Sequence, residues 1–113
     1  MVRTLSPPID PAEEEYVYFD FVPALSPGVA IGFIFEVLCT VVSGADPSPQ
    51  SRLIGSPSII RSPSTDALAT AVRQKVGGML AGTLYQIQCV VNCTDDEVLS
   101  WRVNIPCSEP PAM

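Results

Sequence analysis

The amino-acid sequence predicts an all-β domain, built as an antiparallel β-sandwich. Apolar and polar residues alternate strictly through residues 83–93, which is the period of a strand with one buried face. Glycines mark the turn just before that strand, at Gly77, Gly78 and Gly82. Three more segments alternate in the same way with turn residues between them, a pattern typical of sandwiches.

The first predicted strand covers residues 14–22. Val17, Phe19 and Phe21 have the same parity and are predicted to point into the core. The two tyrosines between them, Tyr16 and Tyr18, then point outward. Since aromatic residues are enriched at protein interfaces, both are candidates for contact with a partner.

The second predicted strand is long and covers residues 30–42. Its inward face is predicted to hold Ile31, Phe33, Phe35, Val37, Cys39 and Val41. The outward face is half apolar, with Ile34 and Leu38 beside the charged Glu36. A strand that is apolar on both sides is usually central or covered by a neighbouring molecule, so Ile34 and Leu38 are also interface candidates.

The last two strands, residues 83–93 and 97–107, are predicted to form a hairpin closed by residues 94–96. This register places Cys89 opposite Trp101, with both side chains in the core, and Cys93 opposite Glu97. Cys107 then faces Thr83 at the far end.

The middle of the chain is less regular, because prolines recur between residues 43 and 67. A short strand is predicted at residues 58–61. Residues 64–75 fit either a capped helix or an alternating strand. We favour a strand over roughly residues 69–76, because the sheet needs a neighbour there.

The four cysteines are Cys39, Cys89, Cys93 and Cys107. Cys89 and Cys93 share a strand face but lie about 13 Å apart, too far to chelate one ion. The hairpin register separates Cys93 from Cys107, which leaves a bridge between Cys39 and Cys89 as the alternative to buried free thiols. We favour buried free thiols.

Composition argues against several functions. The chain has 113 residues, a net charge of −6 and no histidine, so nucleic-acid binding, anionic membranes and histidine-based catalysis are all disfavoured. The acidic runs at residues 13–15 and 95–97 fit solvated turns, and no metal or cofactor site is predicted. The N-terminus lacks the apolar centre of a secretory signal, and no membrane span is predicted. We expect a non-enzymatic product made in the cytoplasm.

Three regions are predicted: an extended arm at residues 1–12, a sandwich at residues 13–107 and a tail at residues 108–113. The arm is proline-rich, with Pro7 and Pro8. Because proline cannot donate to a strand ladder, the arm is expected to stay outside the sheets and to dock on a partner.

The segments 18–31 and 76–89, separated by a Ser/Pro-rich middle and followed by the last hairpin, resemble a known family. They are similar to the small Ig-like proteins of tailed bacteriophages called fiber–tail adaptor proteins. The resemblance covers roughly residues 14–106 and implies an Ig-like sandwich. Antibody-type domains are a poorer match, since Tyr85 stands four residues before Cys89 rather than two.

The resemblance implies a virion structural protein, made in the host cytoplasm and assembled in many copies. The expected function is an adaptor that joins fibers to the tail or neck, with other virion proteins and copies of itself as partners. The alternatives are a capsid decoration or head–tail completion protein, and a secreted Ig-like adhesion domain.

Overall fold

The computed structural model describes residues 2–5 and 8–108, although the side chains of residues 2–5 are not described. Nearly all of the regular structure is β-strand. The strands are β1 (Val2–Leu5), β2 (Glu14–Asp20), β3 (Ile31–Ser43), β4 (Leu53–Ile60), β5 (Ala71–Gly77), β6 (Thr83–Cys93) and β7 (Val98–Cys107). Two short 3-10 turns, Val22–Ala24 and Pro49–Arg52, precede β3 and β4.

The strands form two sheets that pack into a sandwich. One sheet has the order β1-β7-β6-β3, and the other has the order β2-β5-β4. Apart from β1, this is the strand order of an immunoglobulin domain, with β2-β5-β4 opposite β3-β6-β7. Strand β1 lies parallel to β7, while the other pairs are antiparallel. The predicted fold class, an all-β Ig-like sandwich, is confirmed.

The hairpin of β6 and β7 has the predicted register. Cys89 pairs with Trp101, and Thr83 pairs with Cys107. The β6 residues alternate without exception between buried and partly exposed. Cys89 is fully buried, and Trp101 is partly buried against the core, where its ring meets Phe21 edge-on at 5.8 Å. The sequence pattern therefore placed the centre of this sheet correctly.

Strand β3 departs from the predicted pattern at its start. The pairing with β6 shifts between Ile31 and Phe33 and again between Ile34 and Glu36, which are the positions of β-bulges. Each shift moves the following side chain to the other face. Phe33 and Phe35 were predicted to point inward, but they are 53% and 65% exposed. That prediction is wrong, because simple alternation cannot anticipate a bulge.

The middle of the chain is more ordered than the sequence suggests. Strand β4 begins at Leu53, well before the predicted start at residue 58. Its pairing with β5 is irregular between Ile54 and Ser58, so Pro57 can sit in the strand without interrupting a ladder bond. Strand β5 begins within two residues of the predicted position.

The N-terminal segment is also corrected by the structure. Residues 2–5 pair with β7, and Ile9 forms a bridge with Cys107. The Ile9 side chain is 1% exposed and belongs to the core. The expectation that residues 1–12 stay outside the sheets is therefore wrong, because non-proline residues supply the ladder bonds. Ser108 N donates to Ile9 O at 3.0 Å, and the rest of the predicted tail lies outside the described residues.

Candidate functional site

A buried polar cluster lies where the β3–β4 connection meets the start of β6. The Asp46 carboxylate is fully buried and accepts hydrogen bonds from Arg52 Nε at 2.8 Å and from Arg52 Nη2 at 3.0 Å. Tyr85 Oη donates to Asp46 Oδ2 at 2.6 Å, and Ser48 N donates to Oδ1 at 2.9 Å. Each oxygen of the carboxylate therefore accepts two hydrogen bonds.

This cluster is electrostatically satisfied. Hydrogen bonding from Arg52, reinforced by Tyr85, holds the pKa of Asp46 well below its usual range despite burial. Burial raises the pKa of Tyr85, and the bond to Asp46 raises it further. Leu80 N donates to Tyr85 Oη at 3.0 Å, which links the tyrosine to the backbone upstream, as in the tyrosine corner of Ig-like domains. The cluster therefore fits a structural role.

Asp46 and Arg52 were not predicted from the sequence, because both lie in the irregular middle of the chain. The residue in the sequence that could have pointed to this cluster was Tyr85. A tyrosine near the start of a sandwich strand needs a partner for its buried hydroxyl.

The outer face of the three-stranded sheet carries the tyrosines that were predicted to be exposed. Tyr16 and Tyr18 are 46% and 48% exposed, and their rings lie 6.5 Å apart. The Arg73 guanidinium lies 4.7 Å from the centre of the Tyr16 ring, a cation–π distance. Lys75 Nζ lies 3.2 Å from Glu14 Oε1 on the same face. We call Tyr16, Tyr18, Arg73 and Lys75 the tyrosine face.

The opposite outer face, on the four-stranded sheet, carries a second set of exposed apolar side chains. Leu38 pairs with Gln88 and Phe33 pairs with Asn92, so both point away from the core. Leu38 is 36% exposed. Ile34 pairs with Val91, points inward and is partly buried against the core, so it does not share a face with Leu38. We call Phe33 and Leu38, with the neighbouring Phe35, the β3 surface.

The six predicted interface residues are therefore not brought together. Tyr16 and Tyr18 lie on one outer face, Leu38 lies on the other, and Ile34 lies between the sheets. Pro8 is exposed, and Pro7 lies outside the described residues.

A cleft opens at the side of the sandwich where β3 and β4 are both edge strands. Its volume is about 560 Å³. The lining residues are Ile34, Phe35, Glu36, Val37, Gln50, Leu53, Gly55, Ser56, Pro57 and Gln74. The irregular pairing of both strands borders this cleft, at residues 34–36 and 54–58. A smaller apolar pocket of about 230 Å³ lies between the first 3-10 turn and residues 67–70.

The four cysteines are buried and form no disulfide with one another, as favoured from the sequence. Burial raises the pKa of Cys89 to about 12 and that of Cys39 to about 11. Such thiols stay protonated at neutral pH and are poor nucleophiles. Among residues 2–5 and 8–108, no group of three or more histidine, cysteine or carboxylate side chains is placed to hold a metal ion.

Comparison of the chain with protein-family models found no match, and comparisons with curated proteins and with solved structures found none either. Within the described residues, no helix has the length and apolar character needed to cross a membrane.

Proposed function

We propose that this chain is a non-enzymatic structural protein of a bacteriophage virion, an adaptor that joins fibers to the tail or neck. The observation that carries the proposal is the presence of two exposed aromatic or apolar surfaces on opposite outer faces of one small sandwich. An adaptor has to hold two partners at once, and two separated faces allow this without one partner blocking the other.

The tyrosine face and the β3 surface differ in chemistry, which fits two different partners. The first combines two tyrosines with Arg73 and Lys75, so it suits a polar or acidic surface. The second exposes Phe33 by 53% and Phe35 by 65%, so it suits an apolar contact. The resemblance of residues 14–106 to phage adaptor proteins supports the same reading.

The polar groups of the described residues also favour a binding role over catalysis. Asp46 is fully buried and neutralised by Arg52, and the four thiols are buried. The chain contains no histidine to serve as a general base.

The proposal is tested by deleting the gene from the phage that encodes it and imaging the particles by cryo-electron microscopy. An adaptor predicts intact heads and tails that lack fibers. Re-supplying the wild-type chain should restore fibers, while a chain with Tyr16→Ser and Tyr18→Ser should not.

Two results would contradict the adaptor function. Particles that keep their fibers but lose head stability would indicate a decoration protein. Particles of wild-type composition, with the chain absent from purified virions by mass spectrometry, would exclude a virion role altogether.

A further inference from the structure

We propose that the cleft between β3 and β4 binds an extended segment of a partner polypeptide. In this proposal, the segment adds to the free edge of β3 and places a lysine or arginine beside Glu36. The inference stands on the geometry of the cleft and holds whether or not the protein is a virion component.

The first argument comes from the edge of β3. The sheet order leaves one side of β3 without a neighbouring strand, and an edge strand presents backbone groups that can pair with another chain. The Gln50 side chain occupies part of this edge. Its Nε2 donates to Val37 O at 3.0 Å, and Cys39 N donates to its Oε1 at 2.9 Å. These are the two bonds that a residue of a parallel strand would make opposite Leu38.

The bonds of Gln50 indicate that the backbone of the β3 edge can pair with a strand-like partner. Gln50 also marks the end of the stretch of this edge that has no hydrogen-bonded neighbour. The edge beside Gln50, at residues 34–36, borders the cleft instead of another strand. Here the pairing of both edge strands with their sheet neighbours is irregular, and Gly55 takes a φ of +70° that favours glycine. The resulting space matches the size of typical ligand sites.

The second argument comes from Gln74, which lines the cleft although its side chain is only 1% exposed. Its Nε2 faces three carbonyl oxygens, those of Ile54 at 3.2 Å, Gly55 at 3.2 Å and Lys75 at 2.9 Å. These acceptors fix the orientation of the amide, so Oε1 points away from them. Oε1 accepts no hydrogen bond from the described residues, and it is not among the fully buried atoms that lack a partner, so it keeps contact with the space of the cleft. An N–H group of an extended peptide that enters the cleft can donate to it.

The third argument comes from charge. Glu36 lies exposed at the rim of the cleft, and no ion pair is formed by its carboxylate within the described residues. The chain as a whole carries −6, which disfavours a second copy as the occupant and favours a basic segment. The lining is mixed in character, and its apolar members Ile34, Leu53 and Pro57 suit alternate apolar side chains of that segment.

The test is to pan a library of random linear peptides on the immobilised wild-type protein, with counter-selection on Ser56→Trp. Ser56 is an exposed residue of the β4 irregularity, so the tryptophan fills the cleft without entering the core. The matched control is Ser58→Trp, which is also exposed and pairs with Arg73 away from the cleft. Circular dichroism checks that both variants fold.

The proposal predicts enriched peptides with alternating apolar residues and a lysine or arginine. Ser56→Trp should abolish their binding, while Ser58→Trp keeps it. Glu36→Lys should weaken binding roughly two- to fivefold, the range of an exposed ion pair. Glu97→Lys makes the same charge change at the hairpin tip and should leave binding unchanged. The bound peptide should slow amide exchange at residues 34–36.

Three outcomes would overturn the proposal. The first is a library that yields no peptide preferring the wild type over Ser56→Trp. The second is a set of enriched peptides that shift the NMR signals of the tyrosine face and leave those of the cleft unchanged. The third is self-association in sedimentation that Ser56→Trp removes, which would make a second copy the occupant of the cleft.

Discussion

The hydroxyl of Tyr85 donates a 2.6 Å hydrogen bond to Asp46 Oδ2, joining the start of β6 to the β3–β4 connection across 39 residues of sequence. The same hydroxyl accepts from Leu80 N, so one oxygen ties together three segments of the chain. Arg52 neutralises the carboxylate from the other side. This arrangement holds the irregular middle of the chain against the regular hairpin.

Replacing Tyr85 with phenylalanine should destabilise the fold by about 1–3 kcal/mol, because the buried Asp46 carboxylate loses one of its donors and the Leu80 N–H loses its acceptor. Urea unfolding monitored by Trp101 fluorescence measures the change. Tyr16→Phe is the control, since Tyr16 is half-exposed and should change stability by less than about 0.5 kcal/mol. Equal stabilities for the two variants would show that the hydroxyl of Tyr85 contributes nothing.

The buried Asp46 should make the protein sensitive to acid. Its pKa is lower in the folded state than in the unfolded chain, chiefly through the Arg52 hydrogen bond, so its stabilising effect is present at neutral pH. That effect is lost progressively as the pH falls below about 4, where the unfolded chain takes up the proton first. Hydrogen bonds from Ser64 and Ser62 together outweigh the effect of burial and lower the pKa of Asp20. Protonation of Asp20 at acid pH should therefore also reduce the stability of the fold.

Unfolding curves at several pH values, compared with those of Asp46→Asn, isolate the contribution of Asp46. The wild type should be the more stable protein at pH 7, and the difference should shrink as the pH falls. A difference that stays constant from neutral pH to about pH 3 would contradict the folded-state pKa of Asp46.

The thiols should resist modification in the native protein. All four cysteines are buried, and burial raises the pKa of Cys89 to about 12. A thiol reagent at pH 8 should label almost nothing until denaturant is added, after which four labels should appear by mass spectrometry. Rapid labelling of Cys89 under native conditions would contradict its place opposite Trp101.

The bulges of β3 lead to a prediction that separates two neighbouring apolar residues. Phe35→Ala should change stability by less than about 0.5 kcal/mol, because its ring is 65% exposed. Val37→Ala should cost roughly 2 kcal/mol, because Val37 is buried opposite Cys89. Chemical denaturation measures the loss of stability in both variants. If β3 followed simple alternation, Phe35 would point inward and Phe35→Ala would lose more stability than Val37→Ala.

The regular parts of this fold were predictable because one physical pattern dominates them. Strand β6 alternates without a break, so its bounds and its pairing with β7 follow from the sequence. In β3, the odd-numbered and the even-numbered residues both include apolar side chains. The sequence therefore does not mark where a bulge exchanges the inward and outward faces of the strand. The exposure of Phe33 and Phe35 is set by long-range pairing with β6, which local sequence does not encode.

The candidate sites were predictable only in part, for a similar reason. The exposure of Tyr16 and Tyr18 follows from local alternation in β2. The cleft depends on Gln50 and Gln74, which come from different elements and meet only after the sandwich has formed. Gln74 lies in a segment that was predicted to be a strand, but its bonds to the β4 carbonyls require the tertiary structure.

The N-terminal segment gives the last prediction. Ile9 N donates to Pro106 O, and its side chain is 1% exposed within the core. Ile9→Ala should therefore cost about 2–5 kcal/mol, and deleting residues 1–11 should cost at least as much, because it also removes the pairing of β1 with β7. Pro8→Ala, at an exposed position, is the control and should change stability by less than about 0.5 kcal/mol. Urea unfolding of the three proteins measures these differences.

If the truncated protein is as stable as the wild type, the segment contributes nothing to the sandwich and acts only as an external arm. If the truncated protein is destabilised as expected, any failure of that protein to enter phage particles could be explained by misfolding alone. A docking role for the segment must therefore be tested with Pro8→Ala, which leaves Ile9 in place.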